Sequence, residues 1–317
     1  MKTYMILGKY RGATDSGTKV VVVGGPYQTR TAVFAIIASV AALSLGDALI
    51  KTAKLSLPLW QMYILRSALL LPVLWWFARS QGPITPKAPF WTVMRSILLV
   101  VMWLSYYSSL SLMPLSLAAA AYYTGPIFIV ALTALISSKW PRRRTLFSIG
   151  CGFIGVLMII RPDMAGFDLG TLLPMIAAFL YACAMVLTSV KCQNDDPVAL
   201  ALALHLAFIM VGALLGLFSG REGSFIFGPW QPVDLRLFAT VAALAALILI
   251  GSVGAAVAYQ KGPPTTVAAF DYSYLVFSLI WGRLFFGELP GNIALIGIGV
   301  IVSAGLLAMP PRQRRSK

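Results

Sequence analysis

Three observations predict an all-α polytopic membrane protein of ten transmembrane helices, built as two inverted five-helix repeats. Of 317 residues, 59% are hydrophobic and 11% charged, with a mean hydropathy of +0.84; soluble proteins carry roughly a quarter charged residues. Apolar runs of about 20 residues recur along the chain, the length that crosses about 30 Å of hydrocarbon at 1.5 Å per residue. The third observation is internal similarity. MPLSLAAAAYYTGPIF at 113–128 aligns with PPTTVAAFDYSYLVFS at 263–278, setting Ala118 on Ala268, Ala119 on Ala269 and Tyr122 on Tyr272. The same 150-residue shift sets IGVL at 154–157 on AGLL at 304–307. A unit with an odd number of spans forces its second copy to enter the membrane upside down.

Residues 1–30 read as a cytoplasmic N-terminal tail. GATDSGTK at 12–19 lacks the Gly-Lys-Ser/Thr order of a phosphate loop, so no nucleotide site is expected. The short run VVVV at 20–23, followed by polar residues, is not a cleavable signal. The first span, 31–50, ends in SLGDALIKTAK at 44–54. Lys51 and Lys54 mark the membrane edge, where long side chains reach water. Asp47 shares a helical face with Lys51 and lies about 6 Å inside the helix end, a candidate partner for Arg66. That arginine sits in the second span, 57–78, about 13 Å deep. Arginine does not escape by deprotonating, so it must meet a carboxylate, a carbonyl dipole, water or an anionic substrate. A packing pair between the first two helices and a substrate contact both remain open.

The third span, 90–111, carries Arg95, Trp103 and Tyr107. In the fourth, 115–137, Pro126 has no N–H for the carbonyl of Tyr122, which predicts a kink beside Gly125. Irregular backbone at that depth belongs against protein or a watery cavity. Tyr122 and Tyr123 there, with Tyr181 of the sixth span (169–190), Tyr272, Trp103 and Tyr107, are candidate walls for a ring-bearing solute. The fifth span, 145–161, and the tenth, 291–309, are kept slim by GCGFIGV and GIGVIVSAG, and the seventh, 197–218, contains GALLG. The seventh also holds His205, which the repeat sets opposite Arg66 and which titrates near neutrality when unperturbed. After the eighth span, 235–260, the ninth, 264–285, places Asp271, Tyr274 and Ser278 on one stripe, with Arg95 a candidate partner of Asp271.

These spans divide the chain into the tail (1–30), a first five-helix unit (31–162), a second (163–309) and a basic tail (310–317). The net charge of +15 gathers in short loops and ends, notably KWPRRR at 139–144 and RQRRSK at 312–317. Such a bias orients a multi-pass protein in the cytoplasmic (inner) membrane with both termini cytoplasmic, and argues for a lipid bilayer rather than nucleic acid as surroundings. The cysteines at 151, 183 and 192 have no metal-type spacing, and the chain has one histidine; no metal and no cofactor are expected.

The chain resembles the ten-helix EamA-type members of the drug/metabolite transporter superfamily over roughly 31–309. PLSLAAA and PPTTVAA, which open the fourth and ninth spans, and FFGELPGNIALIGIGVIVSAGLL at 285–307 carry the resemblance. The first half has SSKWPRRR where the family's Gly-Glu turn would recur, which makes Glu288 structural rather than substrate-binding. The resemblance implies a secondary transporter of a small organic metabolite, such as an amino acid, a vitamin or a nucleoside-like compound. GDALIK with PLWQMYILR resembles members that take up riboflavin or S-adenosylmethionine. Candidate substrate-binding residues are Asp47, Arg66, Trp103, Tyr107, Tyr122, Tyr123, Tyr181, His205, Asp271, Tyr272 and Tyr274. Protons are the candidate coupling ion, and the protein is expected to be a monomer or homodimer. The alternative class is an integral-membrane lipid-modifying enzyme, against which stands the lack of clustered catalytic groups. A passive channel is disfavoured because no charged ring or filter loop is evident.

Overall fold

The computed structural model describes residues 26–53, 57–80, 85–109, 112, 115–138, 140–160, 172–220, 222, 224–287 and 291–308. The phosphate-loop-like segment, Lys54, Glu288 and the basic tail lie outside the described residues, as does the side chain of Lys51. Among the described residues the elements are helical: α1 (Pro26–Ala53), α2 (Leu59–Ser80), α3 (Pro89–Ser109), α4 (Leu115–Tyr122), α5 (Gly125–Ser137), α6 (Arg143–Ile160), α7 (Leu172–Val190), α8 (Pro197–Gly216), α9 (Leu235–Lys261), α10 (Pro264–Asp271), α11 (Ser273–Phe286) and α12 (Asn292–Ala308). They make ten spans, because α4 with α5 and α10 with α11 are each one span broken in the middle. Six of the helices are long and apolar enough to cross a membrane unaided. Their outward faces carry exposed large apolar side chains such as Phe34, Phe147 and Met210, as lipid contact requires.

The fourth-span break forms where the proline predicted irregularity. Thr124 separates the two halves, its Oγ1 donating to the Ala121 carbonyl at 2.6 Å, and Pro126 sits in the first turn of α5. A missing N–H is harmless there, since first-turn amides have no helical acceptor. The ninth-span break has no proline. It falls at Tyr272, which is fully buried against α6; a Cβ on Gly152 would lie 2.4 Å from its ring. The paired half-helices match in length, 8 and 13 residues in one span and 8 and 14 in the other.

Packing repeats under exchange of the two halves. Helix α1 packs on α9 as α7 packs on α3; α1 meets α10 and α11 as α7 meets α4 and α5; α2 pairs with α8, and α6 with α12. Small residues set the closest approaches. A Cβ on Gly155 would lie 2.9 Å from the Gly297 carbonyl, and one on Gly297 2.8 Å from that of Gly155. On the α1–α9 contact Ser39 Oγ donates to the Gly251 carbonyl at 2.7 Å. At one end of the bundle the α8–α9 loop closes over the start of α2: Trp60 Nε1 donates to Gly228 O at 2.9 Å, and Gln61 exchanges two hydrogen bonds with the Gln231 backbone. At the other end Asp195 accepts from the Lys87 and Ala88 amides and from Thr92 Oγ1, fastening the entry to α3 from a different part of the chain.

Candidate functional site

Asp47 projects from α1 toward the middle of the bundle. Tyr274 Oη of α11 donates to its Oδ2, and Arg66 of α2, Tyr106 and Tyr107 of α3, and Tyr122 and Tyr123 of the fourth span lie close enough to interact with it electrostatically. Its side chain is nonetheless exposed. A carboxylate surrounded by four other spans and still open to solvent lines an internal, water-accessible cavity.

Arg66 forms a second wall. Only 7% of it is exposed, and its guanidinium lies 5.0 Å from the Phe208 ring and 5.9 Å from that of Tyr63. Nε is buried with no hydrogen-bond partner, and among the described residues no carboxylate closes an ion pair on this group. Asp47 acts on it through space, so the expected pairing is one of neighbours rather than a salt bridge. His205 of α8 lies close enough to Arg66 to interact with it electrostatically. It is fully buried, with Nδ1 3.1 Å from Ser67 Oγ and Nε2 without a partner.

Half-buried aromatic rings connect this region to Asp271. Trp103 stacks on Tyr107 with centroids 5.3 Å apart and planes 22° from parallel. Tyr107 touches Tyr106, Tyr106 touches Tyr122 at 5.0 Å, and Tyr122 reaches Tyr181 at 6.0 Å. Tyr123 packs 5.9 Å from Tyr274. Asp271, at the end of α10, accepts from Tyr259 Oη at 2.6 Å and Tyr181 Oη at 3.2 Å. Arg95 is not its partner. That arginine donates from Nε to Thr188 Oγ1 at 2.7 Å and keeps Nη1 buried without a partner. The expected stripe is also divided, because the break at Tyr272 turns Asp271 toward α7 and α9 while Tyr274 faces α1. Tyr272 itself is a packing wedge on Gly152, its hydroxyl buried without a partner.

Four residues absent from the sequence reading belong to this constellation: Tyr63, Tyr106, Phe208 and Tyr259. Tyr106 was accessible to the same reasoning, since it adjoins Tyr107 on a span already read as aromatic. The other three are lone rings in apolar helices, where burial and site-lining look alike.

Comparison with known proteins decides the class. The EamA-like transporter family matches residues 30–161 and again residues 168–309. The chain belongs to this family. It is similar to a riboflavin transporter of Brucella anthropi, 25% identical over 201 residues, which cover 63% of this chain and 69% of that protein. A pseudopaline exporter, CntI, of Pseudomonas aeruginosa is 22% identical over 269 residues, covering 84% and 91%. An S-adenosylmethionine uptake transporter of Rickettsia prowazekii is 23% identical over 255 residues, covering 77% and 79%. A crystal structure superimposes with a TM-score of 0.73 at 18% identity, covering 90% of this chain and 98% of the other, a likeness of fold alone. The EamA-like family and these relatives are transporters, not enzymes, so the lipid-modifying alternative falls away.

Proposed function

We propose that this EamA-like protein is a secondary active transporter that moves a small organic metabolite across the cytoplasmic membrane by alternating access. In this reading the units 31–162 and 163–309 exchange conformations around the cavity, with both termini cytoplasmic, driven by a proton gradient or by exchange of a second solute. The observation that carries it is the convergence of Asp47, Arg66, Asp271 and the tyrosines on two helix breaks at corresponding positions of the halves. Broken helices around a polar site, at a repeat interface, are how transporters hold a solute in the membrane interior. The rings suit an amino acid, a vitamin or a nucleoside-like compound.

The test is uptake into proteoliposomes from a panel of radiolabelled metabolites, with and without an inward pH gradient. Concentrative uptake of one class is expected. Absence of flux for every compound, with folded protein incorporated, would count against transport, and flux that never exceeds equilibration, with or without the gradient and a counter-solute, would remove the active part of the reading.

A further inference from the structure

The unpartnered charge of Arg66 carries a conclusion about the solute. Arginine stays ionised at any physiological pH, and a buried guanidinium whose Nε has no partner and whose charge no carboxylate pairs is an expensive arrangement that an acceptor relieves. The rings of Phe208 and Tyr63 give its faces cation–π contact but fill no N–H. Asp47 attracts it without closing on it, and Tyr107 lies near enough to interact with both charges. Trp103 stacks on the same ring. On the other side, Asp47 has one oxygen engaged by Tyr274 and remains open to solvent.

The geometry points to a zwitterionic, ring-bearing metabolite as the ligand of this cavity: its carboxylate on Arg66, its ammonium on Asp47, its ring against Trp103 and Tyr107. This rests on the transport reading and assigns the chemistry of its site. The two protein charges sum to zero, so a solute with both charges meets complementary groups at both ends. A simple acid of the same shape brings a second carboxylate toward Asp47, and a simple amine brings a cation toward Arg66; both are rejected by like-charge repulsion. A guanidinium fork holds a carboxylate through two parallel hydrogen bonds, which lysine does not reproduce.

Matched trios test it: phenylalanine, tyrosine, tryptophan and histidine, each with its decarboxylated amine and its deaminated acid, titrated calorimetrically into purified full-length protein. At least one zwitterion binds wild-type protein, with its amine and its acid each weaker by about tenfold or more, the effect of one lost charge-assisted contact. Asp47→Asn abolishes the discrimination against the acid and keeps that against the amine. Arg66→Gln does the reverse, and Arg66→Lys, which keeps the charge, falls between. Should Arg66→Gln not fold, Asp47→Asn and Arg66→Lys still decide. Binding of no zwitterion by folded wild-type protein overturns the inference, as does equal binding of all three members of every trio. Metabolite uptake that persists in either case leaves the transporter reading standing and removes only this assignment.

Discussion

Asp271 keeps its carboxylate inside the bundle because two tyrosines from different helices turn their hydroxyls onto one of its oxygens, Tyr259 at 2.6 Å and Tyr181 at 3.2 Å. Removing a donor leaves a buried acceptor short of a partner, at a cost of about 1–3 kcal/mol. Tyr259→Phe is therefore expected to lower stability by that amount, and Tyr181→Phe, with the longer bond, by less. Reversible unfolding in mixed micelles checks both. In an Asp271→Asn background the loss from Tyr259→Phe shrinks, because the cycle isolates the contact; an unchanged loss would place the role of Tyr259 elsewhere. This site was partly legible. Helical depth singled out Asp47, Arg66 and Asp271 as charges needing partners, and each meets aromatic side chains of other helices. The partners themselves were not legible: Asp271 went to tyrosines rather than Arg95, and Asp47 to Tyr274. Spacing along one helix tells which residues share its face, not which neighbour that face meets, and tyrosine in an apolar run gives no sign of what its hydroxyl will find.

At the scale of elements the spans were readable because each apolar run had to satisfy its backbone internally over the thickness of the bilayer. The break in the fourth span was signalled by Pro126. Its counterpart in the ninth was not, since no proline marks it: there Ser273 Oγ donates to the Phe270 carbonyl as Thr124 does to that of Ala121, and Tyr272 seats on Gly152 of another helix. Glycine spacing had predicted slim fifth and tenth spans, and α6 and α12 cross with Gly155 and Gly297 at each other's backbone. Any Cβ at either position meets a carbonyl oxygen below 3.0 Å, so the helices must part. Gly155→Ala and Gly297→Ala are expected to destabilise by about 1–3 kcal/mol, the usual penalty of overpacking. Gly299→Ala, on the same helix with nothing within 4 Å of the added carbon, is neutral or slightly stabilising through helix propensity, by up to about 1 kcal/mol. Unfolding midpoints of the three variants compare the positions directly; equal loss at Gly299 would show that glycine is needed for reasons other than helix approach.

The two halves meet across the cavity and are also tied at both ends of the bundle. At one end the second half reaches over the first through Gln231 and Gly228 onto Gln61 and Trp60. At the other, Asp195 ahead of α8 holds the amides of Lys87 and Ala88 and the hydroxyl of Thr92 ahead of and within α3, while Gln260 grips the same loop through the carbonyls of Cys192 and Asp195. The internal repeat accounts for this placement: the α8–α9 loop sits on the start of α2 as the α2–α3 loop sits on the start of α8. If transport requires each end to open while the other stays shut, both ties must break once per cycle. Cysteine pairs at 61 and 231, and separately at 87 and 195, introduced where Cys151, Cys183 and Cys192 are replaced by alanine and uptake is retained, test this at the level of the whole molecule. Joining either pair with a short reducible thiol crosslinker is expected to reduce proteoliposome uptake to background, and reduction to restore it. Full uptake with one pair quantitatively joined would mean that this end stays closed throughout, so that the solute enters and leaves by a route the alternating exchange of halves does not provide.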